Sequence, residues 1–378
     1  MGRQIICYNG RLYRDDARPD FLDIEYFAYQ HVLHYASAAF EGIRCYPNKA
    51  GDGTVNVVAL EPHIDRLFAS MEFAWLNPPS NAAQVWNEFS RSHPDLVDKY
   101  KSVLQSKLSD KNAKKFAWSK SEVQRQITET VLLNLHTGFC TAEQGCYIRP
   151  LAFRSVNPQK GLGVFSMGHA VDFLVLVKAW GKYLGPEAFE KGAPVLIHPE
   201  GCQEFNRHHK LASNYLTGQR LANFCAANRF NETILTDASA DRNVLEGTGE
   251  NLVFYLGNNQ FISPRQEGQP ILPGITLQIV AQILRSLGGT LTYRPIPLAE
   301  IFGGKILGAA MTGTACEVTP ISLVYDPKEK RAVEIPVAVE IKQLQKTYLD
   351  LVQGEPSALI TPIAWNAPEH DALLQKIQ

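Results

Sequence analysis

The sequence predicts an α+β protein, rich in alternating strands and helices and divided into two domains. Three observations lead there. A chain of 378 residues is long enough for two medium domains. Residues 193–354 alternate β-rich apolar runs with amphipathic helical runs, punctuated by Gly, Asn and Asp. Before them, Trp180 and the glycine-punctuated stretch 181–192 read as an interdomain connection.

The first part, residues 1–180, is expected as a smaller α/β domain. Ile5-Ile6-Cys7-Tyr8 and Arg11-Leu12-Tyr13-Arg14 flank Asn9-Gly10, which suits the positive-φ positions of a type I′ turn, so a hairpin opens the chain. A helix starts at Leu60 and runs to about residue 75 with Ile64, Leu67, Phe68 and Met71 on one face; Pro78-Pro79 would end it. Residues 80–118 turn rich in Lys, Ser, Asn and Asp, with helical fragments such as 95–108, and read as a surface insertion. A second helix starts at Ser121, with Val123, Ile127, Val131 and Leu135 inward at steps of four. Strands are expected at 147–153 and 171–177.

Residues 193–354 form the larger expected domain. Strands are predicted at 194–198, 232–237 and 305–311, and a hairpin at 251–256 and 260–263 around Gly257-Asn258-Asn259. Helices are predicted at about 213–227, at 274–287 and at 337–352. The middle one carries Ile279, Val280, Ile283, Leu284 and Leu287 on a stripe and is stopped by Gly288-Gly289. Residues 355–378 read as a polar tail.

Composition narrows the function classes. Hydrophobic residues make up 45%, charged residues 20%, and the net charge is -1, so no nucleic-acid or membrane-surface partner is indicated. The chain begins without an apolar signal core, and no run reaches membrane-spanning length, so a cytoplasmic protein is expected. Seven scattered cysteines without a CxxC pair argue for reduced thiols. Adjacent His208 and His209 invite a metal reading, but side chains one residue apart diverge and no partner set is evident, so no metal is expected.

Three segments stand out chemically. Leu272-Pro273-Gly274-Ile275-Thr276 precedes an amphipathic helix whose first N–H groups and dipole would suit a phosphate; taken alone, an ordinary loop running into a helix is the simpler reading. Glu246-Gly247-Thr248-Gly249-Glu250-Asn251 sets two carboxylates and an amide among glycines before an apolar strand. That suits a protonated ring nitrogen, or a polar turn before a hairpin. Met311-Thr312-Gly313-Thr314-Ala315 places hydroxyls at a strand end and is weak alone.

With Phe40-Glu41-Gly42-Ile43-Arg44, Tyr147-Ile148-Arg149-Pro150 and Lys210-Leu211-Ala212-Ser213-Asn214-Tyr215, these segments in this order resemble the branched-chain aminotransferases of the fold-type IV pyridoxal 5'-phosphate (PLP) enzymes. The resemblance covers most of 5–350 and skips 80–118. It implies two domains with the cofactor between them, and Lys210 as the catalytic residue that holds the cofactor aldehyde as a Schiff base and moves the α-proton. Glu246 would sit on the ring nitrogen and Tyr215 on the phenolic oxygen. Arg66, the backbone of Ile275 and Thr276, and Thr314 would bind the phosphate. For substrate, Tyr35, Phe40, Leu162, Val164 and Tyr183 would form an apolar wall. Tyr147 and Arg149 would meet the distal carboxylate of glutamate, and Thr314-Ala315 the α-carboxylate. Gly161-Leu162-Gly163-Val164 would reach into a neighbouring subunit's site, making a homodimer or larger homo-oligomer.

The reaction so implied is amino transfer between leucine, isoleucine or valine and 2-oxoglutarate, a ping-pong cycle through pyridoxamine phosphate. Its partners are small amino acids and 2-oxo acids. Three departures from the family pattern stand out: Leu277 where an Arg is usual, Ala36-Ser37-Ala38-Ala39 where Gly is common, and Asn206-Arg207-His208-His209 before Lys210. Other readings remain open at this point. One is a different fold-type IV activity, namely D-amino-acid or amine transamination or aminodeoxychorismate lysis. Another is a catalytically silent scaffold, whose purified form would be colourless.

Overall fold

Asn9 and Gly10 adopt φ of 48° and 78°, the pair of left-handed conformations that a type I′ turn needs. They join β1 (Ile5–Tyr8) to β2 (Arg11–Arg14) in antiparallel register. The structure is a computed structural model that describes residues 3–14, 27–51, 53–104, 114–156, 163–202, 207–363 and 370–377. α1 (His31–Tyr35), β3 (Ala38–Phe40), β4 (Ile43–Pro47) and β5 (Val55–Val58) follow. α2 (Leu60–Phe73) buries Ile64, Leu67 and Met71 and leaves Phe68 half-buried. It stops before Pro78-Pro79, and Trp75 just beyond it takes φ 56°.

In the described part of the expected insertion, neither α3 (Gln84–Ser92) nor α4 (Pro94–Lys99) buries a residue. The expected helical run at 95–108 extends to Lys99 in α4, and residues 105–113 lie outside the described set. The returning end differs from expectation. Phe116 is buried, edge-on to Phe68 and Phe173, because its ring completes the core under α2. α5 (Lys120–His136) starts one residue before the expected Ser121. Ser119 and Glu122 form a capping box there that satisfies two otherwise unpaired N–H groups. Val123, Ile127, Val131 and Leu135 are all buried.

β6 (Cys146–Arg154) and β7 (Val171–Ala179) complete the first half. Beyond the short α6 (Pro186–Lys191) come β8 (Ala193–Ile197), α7 (Tyr215–Ala227), β9 (Glu232–Ile234), β10 (Asn251–Gly257) and β11 (Gln260–Pro264). Then follow α8 (Ile275–Ser286), β12 (Thr290–Arg294), α9 (Leu298–Phe302), β13 (Gly308–Gly313), β14 (Glu317–Asp326) and β15 (Arg331–Glu334). α10 (Val339–Val352), β16 (Ile360–Ile363) and α11 (His370–Leu374) close the chain.

The strands form two sheets, ordered β16-β5-β4-β6-β7-β1-β2 with β3 on β6, and β12-β11-β10-β13-β14-β8-β9 with β15 on β14. The first is antiparallel throughout. The second contains the parallel pairs β11/β12, β8/β9 and β8/β14, and a helix spans the connection in the first two. The fold is therefore α+β. One core lies between the first sheet and α2 and α5; a second lies under α8 and α10 and includes Tyr46, Val58 and Ile360 of the first sheet. No helix among the described residues is long and apolar enough to cross a membrane.

Two expectations need correction. Residues 355–378 are not a polar tail: β16 adds to the edge of the first sheet beside β5, and Leu373 is buried. Exposed strand edges attract pairing partners, and β16 pairs with β5 from Ile360 against Val58 to Ile363 against Val55, with both isoleucines buried. Nor are all cysteines free thiols. Cys45 and Cys146 are register partners on β4 and β6 and form a disulfide, Cα–Cα 5.1 Å. They stand 101 residues apart, so only sheet register reveals the pair.

Candidate active site

A cavity of about 430 Å³ opens between the two sheets. Lys210 stands in its wall, pinned by its backbone. Its N–H donates to Ser70 Oγ of α2 at 3.0 Å, and its carbonyl accepts the N–H of Phe40 on β3 at 3.1 Å. The side chain thus projects from a fixed point of the first sheet. Nζ donates to the hydroxyl of Tyr215 at 2.7 Å and lies 5.2 Å from the ring centre of Phe40. Tyr215 begins α7, with four residues between it and Lys210.

Glu246 is buried behind the cavity wall rather than on it. Oε1 accepts from Arg207 Nε at 2.7 Å; Oε2 accepts from the Leu272 N–H at 3.0 Å and Asn251 Nδ2 at 3.3 Å. Burial pushes its carboxyl above the ordinary range; the charge and hydrogen bond of Arg207, the Leu272 N–H and the charge of Lys210 act against that. Asn251 also donates to the Leu272 carbonyl at 2.9 Å, fixing the loop that leads into α8. Gly274 of that loop leaves room for this amide: a Cβ there would lie 1.8 Å from Asn251 Oδ1 and force the side chain to move.

The N-terminus of α8 faces the cavity with Ile275 and Thr276 in its first turn and no side-chain cap. Its leading N–H groups and dipole are suited to an anion. Thr314 and Ala315 also line the cavity, and the buried hydroxyl of Thr312, likewise on the wall, has no hydrogen-bond partner. Arg66 of α2 reaches the same end, held by a group that sequence reasoning missed. Nε and Nη2 grip Glu41 at 2.7 and 2.9 Å, and Nη1 donates to the Pro273 carbonyl at 3.0 Å. Burial alone would raise the Glu41 carboxyl; Arg66 and then His63 hold it far below the usual carboxylate range. His63 Nδ1 lies 2.8 Å from Glu41, yet burial lowers its own pKa despite that carboxylate.

At the opposite end, Tyr147 and Arg149 project from the same face of β6. Arg149 Nη2 donates to the Tyr147 hydroxyl at 2.7 Å, and its guanidinium lies 4.5 Å from the centre of the Phe40 ring. Trp180 stacks on Tyr147 at 4.5 Å, and Tyr183 stacks in turn on Trp180. Gly42 makes room for this group: a Cβ would fall 2.0 Å from the Tyr147 hydroxyl. Glu250 on the wall is buried against Glu232. Burial and then the charge of Glu232 raise its carboxyl well above the ordinary range.

The structure thus brings Phe40, Arg66, Tyr147, Arg149, Tyr183, Lys210, Tyr215, Ile275, Thr276, Thr314 and Ala315 to one cavity. Glu246 stands one layer behind it. Tyr35 and Val164 are not on the wall expected for them. Both are exposed, 40% and 76%: Tyr35 ends α1, and Val164 lies in the segment before β7. Leu162 lies outside the described residues. Glu41, His63, Trp180 and Asn251 were missed as site residues. Glu41 and Asn251 sit inside the quoted motifs, which was the available signal. Trp180 falls at the head of the glycine-punctuated stretch that reads as a connection.

The family described as amino-transferase class IV matches residues 111–324. Among curated proteins, the chain is 26% identical over 362 residues to a branched-chain-amino-acid aminotransferase of Pseudomonas aeruginosa, covering 94% of each. It is 26% identical over 362 residues to that of Escherichia coli K12, covering 93% of each. Among solved structures, the branched-chain aminotransferase of Thermoproteus uzoniensis with norvaline superposes with a TM-score of 0.71 at 22% identity, over 96% of this chain and 100% of that one. The branched-chain amino acid aminotransferase of Thermobaculum terrenum in its PLP-form gives 0.70 at 20% identity, over 96% and 99%.

Proposed function

We propose, for a chain that belongs to the class IV amino-transferase family, the transfer of an amino group from leucine, isoleucine or valine to 2-oxoglutarate. The chain is a transaminase, and its cofactor is pyridoxal 5'-phosphate. One observation carries the reading: the Lys210 amine and the uncapped N-terminus of α8 face the same cavity. The donor set fits the cofactor. Arg66, the first N–H groups of α8, Thr314 and the unpartnered Thr312 hydroxyl suit a phosphate, with an amine for the aldehyde and a buried acid for the ring nitrogen.

When bound, pyridoxal phosphate supplies an aldehyde for the amino group and a ring that accepts electrons as the α-C–H bond breaks. Lys210 Nζ takes the proton from the substrate's α-carbon, and Tyr215 aims that amine through the 2.7 Å contact. Glu246 keeps a proton at the ring nitrogen. The backbone at Thr314 and Ala315 receives the α-carboxylate. Phe40 and Tyr183 face an aliphatic side chain, while Tyr147 and Arg149 receive the distal carboxylate of glutamate. Because the first oxo acid leaves before 2-oxoglutarate enters, one pocket serves both. The exposed segment that ends at Val164 is suited to complete the apolar wall of a neighbouring subunit's site, which makes the proposed active form at least a dimer.

The test is direct. The purified protein is expected to be yellow, and borohydride followed by peptide mass spectrometry should fix the chromophore on Lys210. It should convert L-leucine with 2-oxoglutarate. Conversion of D-alanine but not L-leucine would overturn the substrate assignment, and a colourless protein that takes up no pyridoxal phosphate would overturn the whole reading.

A further inference from the structure

Arg207, in the unusual segment before Lys210, has no part in the mechanism above. The structure buries it to 6% exposure and aims its Nε at Glu246 Oε1, 2.7 Å away. Neither residue is on the cavity wall, whereas Leu272 and Asn251, which share the other oxygen of Glu246, both are. Arg207 therefore cannot touch substrate from this position, and it acts on the site through the carboxylate.

The physical consequence concerns one proton. Between a carboxyl and a ring nitrogen, a proton settles where the surroundings favour it. Burial works for the neutral acid, and burial does push the Glu246 carboxyl up, with Arg207 the largest influence against it. A guanidinium keeps its charge at any working pH, so its bias is permanent. A cation in contact with the carboxylate, and farther from the ring, disfavours the acid form and leaves the proton on nitrogen.

We infer that Arg207 is a positioning residue that, through its contact with Glu246, keeps that carboxylate ionised behind the cavity wall and so favours a protonated ring nitrogen on the cofactor. The inference rests on the pyridoxal-phosphate reading. It goes beyond it by giving a role to a residue in the segment that departs from the family pattern.

The experiment loads the native chain, R207M, R207K, E246Q and R207M/E246Q with pyridoxal phosphate carrying nitrogen-15 in the ring. Borohydride fixation on Lys210 is checked first; its absence in the native chain overturns the parent reading and this one with it. With the cofactor fixed, the native ring signal is expected in the protonated range. R207M should move it toward the unprotonated range and lower kcat about tenfold or more, with KM changed less than about threefold. R207K should return both readouts toward native, and R207M should change neither once E246Q is present. If R207M does not fold, R207Q keeps a donor to Glu246 without the charge and is read in the same way. A native-like ring signal in the neutral variant, or an equal shift on the E246Q background, overturns the inference.

Discussion

Arg66 grips Glu41 with two nitrogens, Nε to Oε1 at 2.7 Å and Nη2 to Oε2 at 2.9 Å, in a pair almost wholly removed from water. A fork matched to a planar carboxylate fixes the direction of the remaining guanidinium donors toward the cavity. Arg66 is thus preset by the fold, with Nη1 on the Pro273 carbonyl at the cavity's edge.

That pair should be visible in stability. Glu41 has a folded pKa below its unfolded value, so its contribution is present above the unfolded pKa and disappears as pH falls through the folded one. E41Q is expected to lose about 3–5 kcal/mol at neutral pH. The gap from the native chain should narrow only below about pH 4. Urea unfolding across that range measures it; a gap independent of pH would show that the charge of Glu41 is immaterial.

K210A should lose activity by on the order of 10³-fold or more, since no other amine lines the cavity among the described residues. Y215F removes the acceptor 2.7 Å from Nζ and should lower kcat about tenfold. Steady-state kinetics with L-leucine compare the three proteins. Equal rates for Y215F and the native chain would remove Tyr215 from the orientation of the amine.

Arg149 should separate the two substrates. R149M is expected to raise KM for 2-oxoglutarate about a hundredfold, the loss of one charge-assisted contact, and to alter KM for L-leucine less than about threefold. Parallel changes for both would show that the guanidinium supports the pocket rather than reading a carboxylate.

G274A would place a methyl 1.8 Å from Asn251 Oδ1 and force that side chain off Leu272. The expected result is a folded protein whose affinity for pyridoxal phosphate falls tenfold to about a hundredfold, read by fluorescence titration. Unchanged affinity would show that the loop can shift without disturbing the anion end.

Glu250 and Glu232 carry the opposite sign. Both carboxyls are raised by burial, so the folded chain keeps a proton that the unfolded chain has lost. Stability therefore declines as pH rises from the ordinary carboxylate range toward the folded pKa. E250Q should flatten that decline by about 1 kcal/mol or more. Urea midpoints at mildly acidic and mildly alkaline pH test it; parallel curves would rule out a retained proton.

Much of the local structure was legible in the chain. Asn9-Gly10 specified a turn, because few residue pairs tolerate two positive φ values. Val123, Ile127, Val131 and Leu135 specified a buried helix face, because their spacing follows the helical turn. The quoted motifs brought in most of the cavity wall, including Lys210, Tyr215 and Thr314. In each case the governing forces act between neighbours along the chain, or recur at a fixed period.

Tertiary structure alone decided the partners. Cys45 meets Cys146, Glu41 meets Arg66, Arg207 meets Glu246, and residues 360–363 complete the first sheet. A buried charge or an unpaired strand edge must find a complement, but the sequence does not say which of many distant groups supplies it. Chain register and sheet packing make that choice. They also put Tyr35 and Val164 on the outside of the chain, where local sequence had no means of placing them.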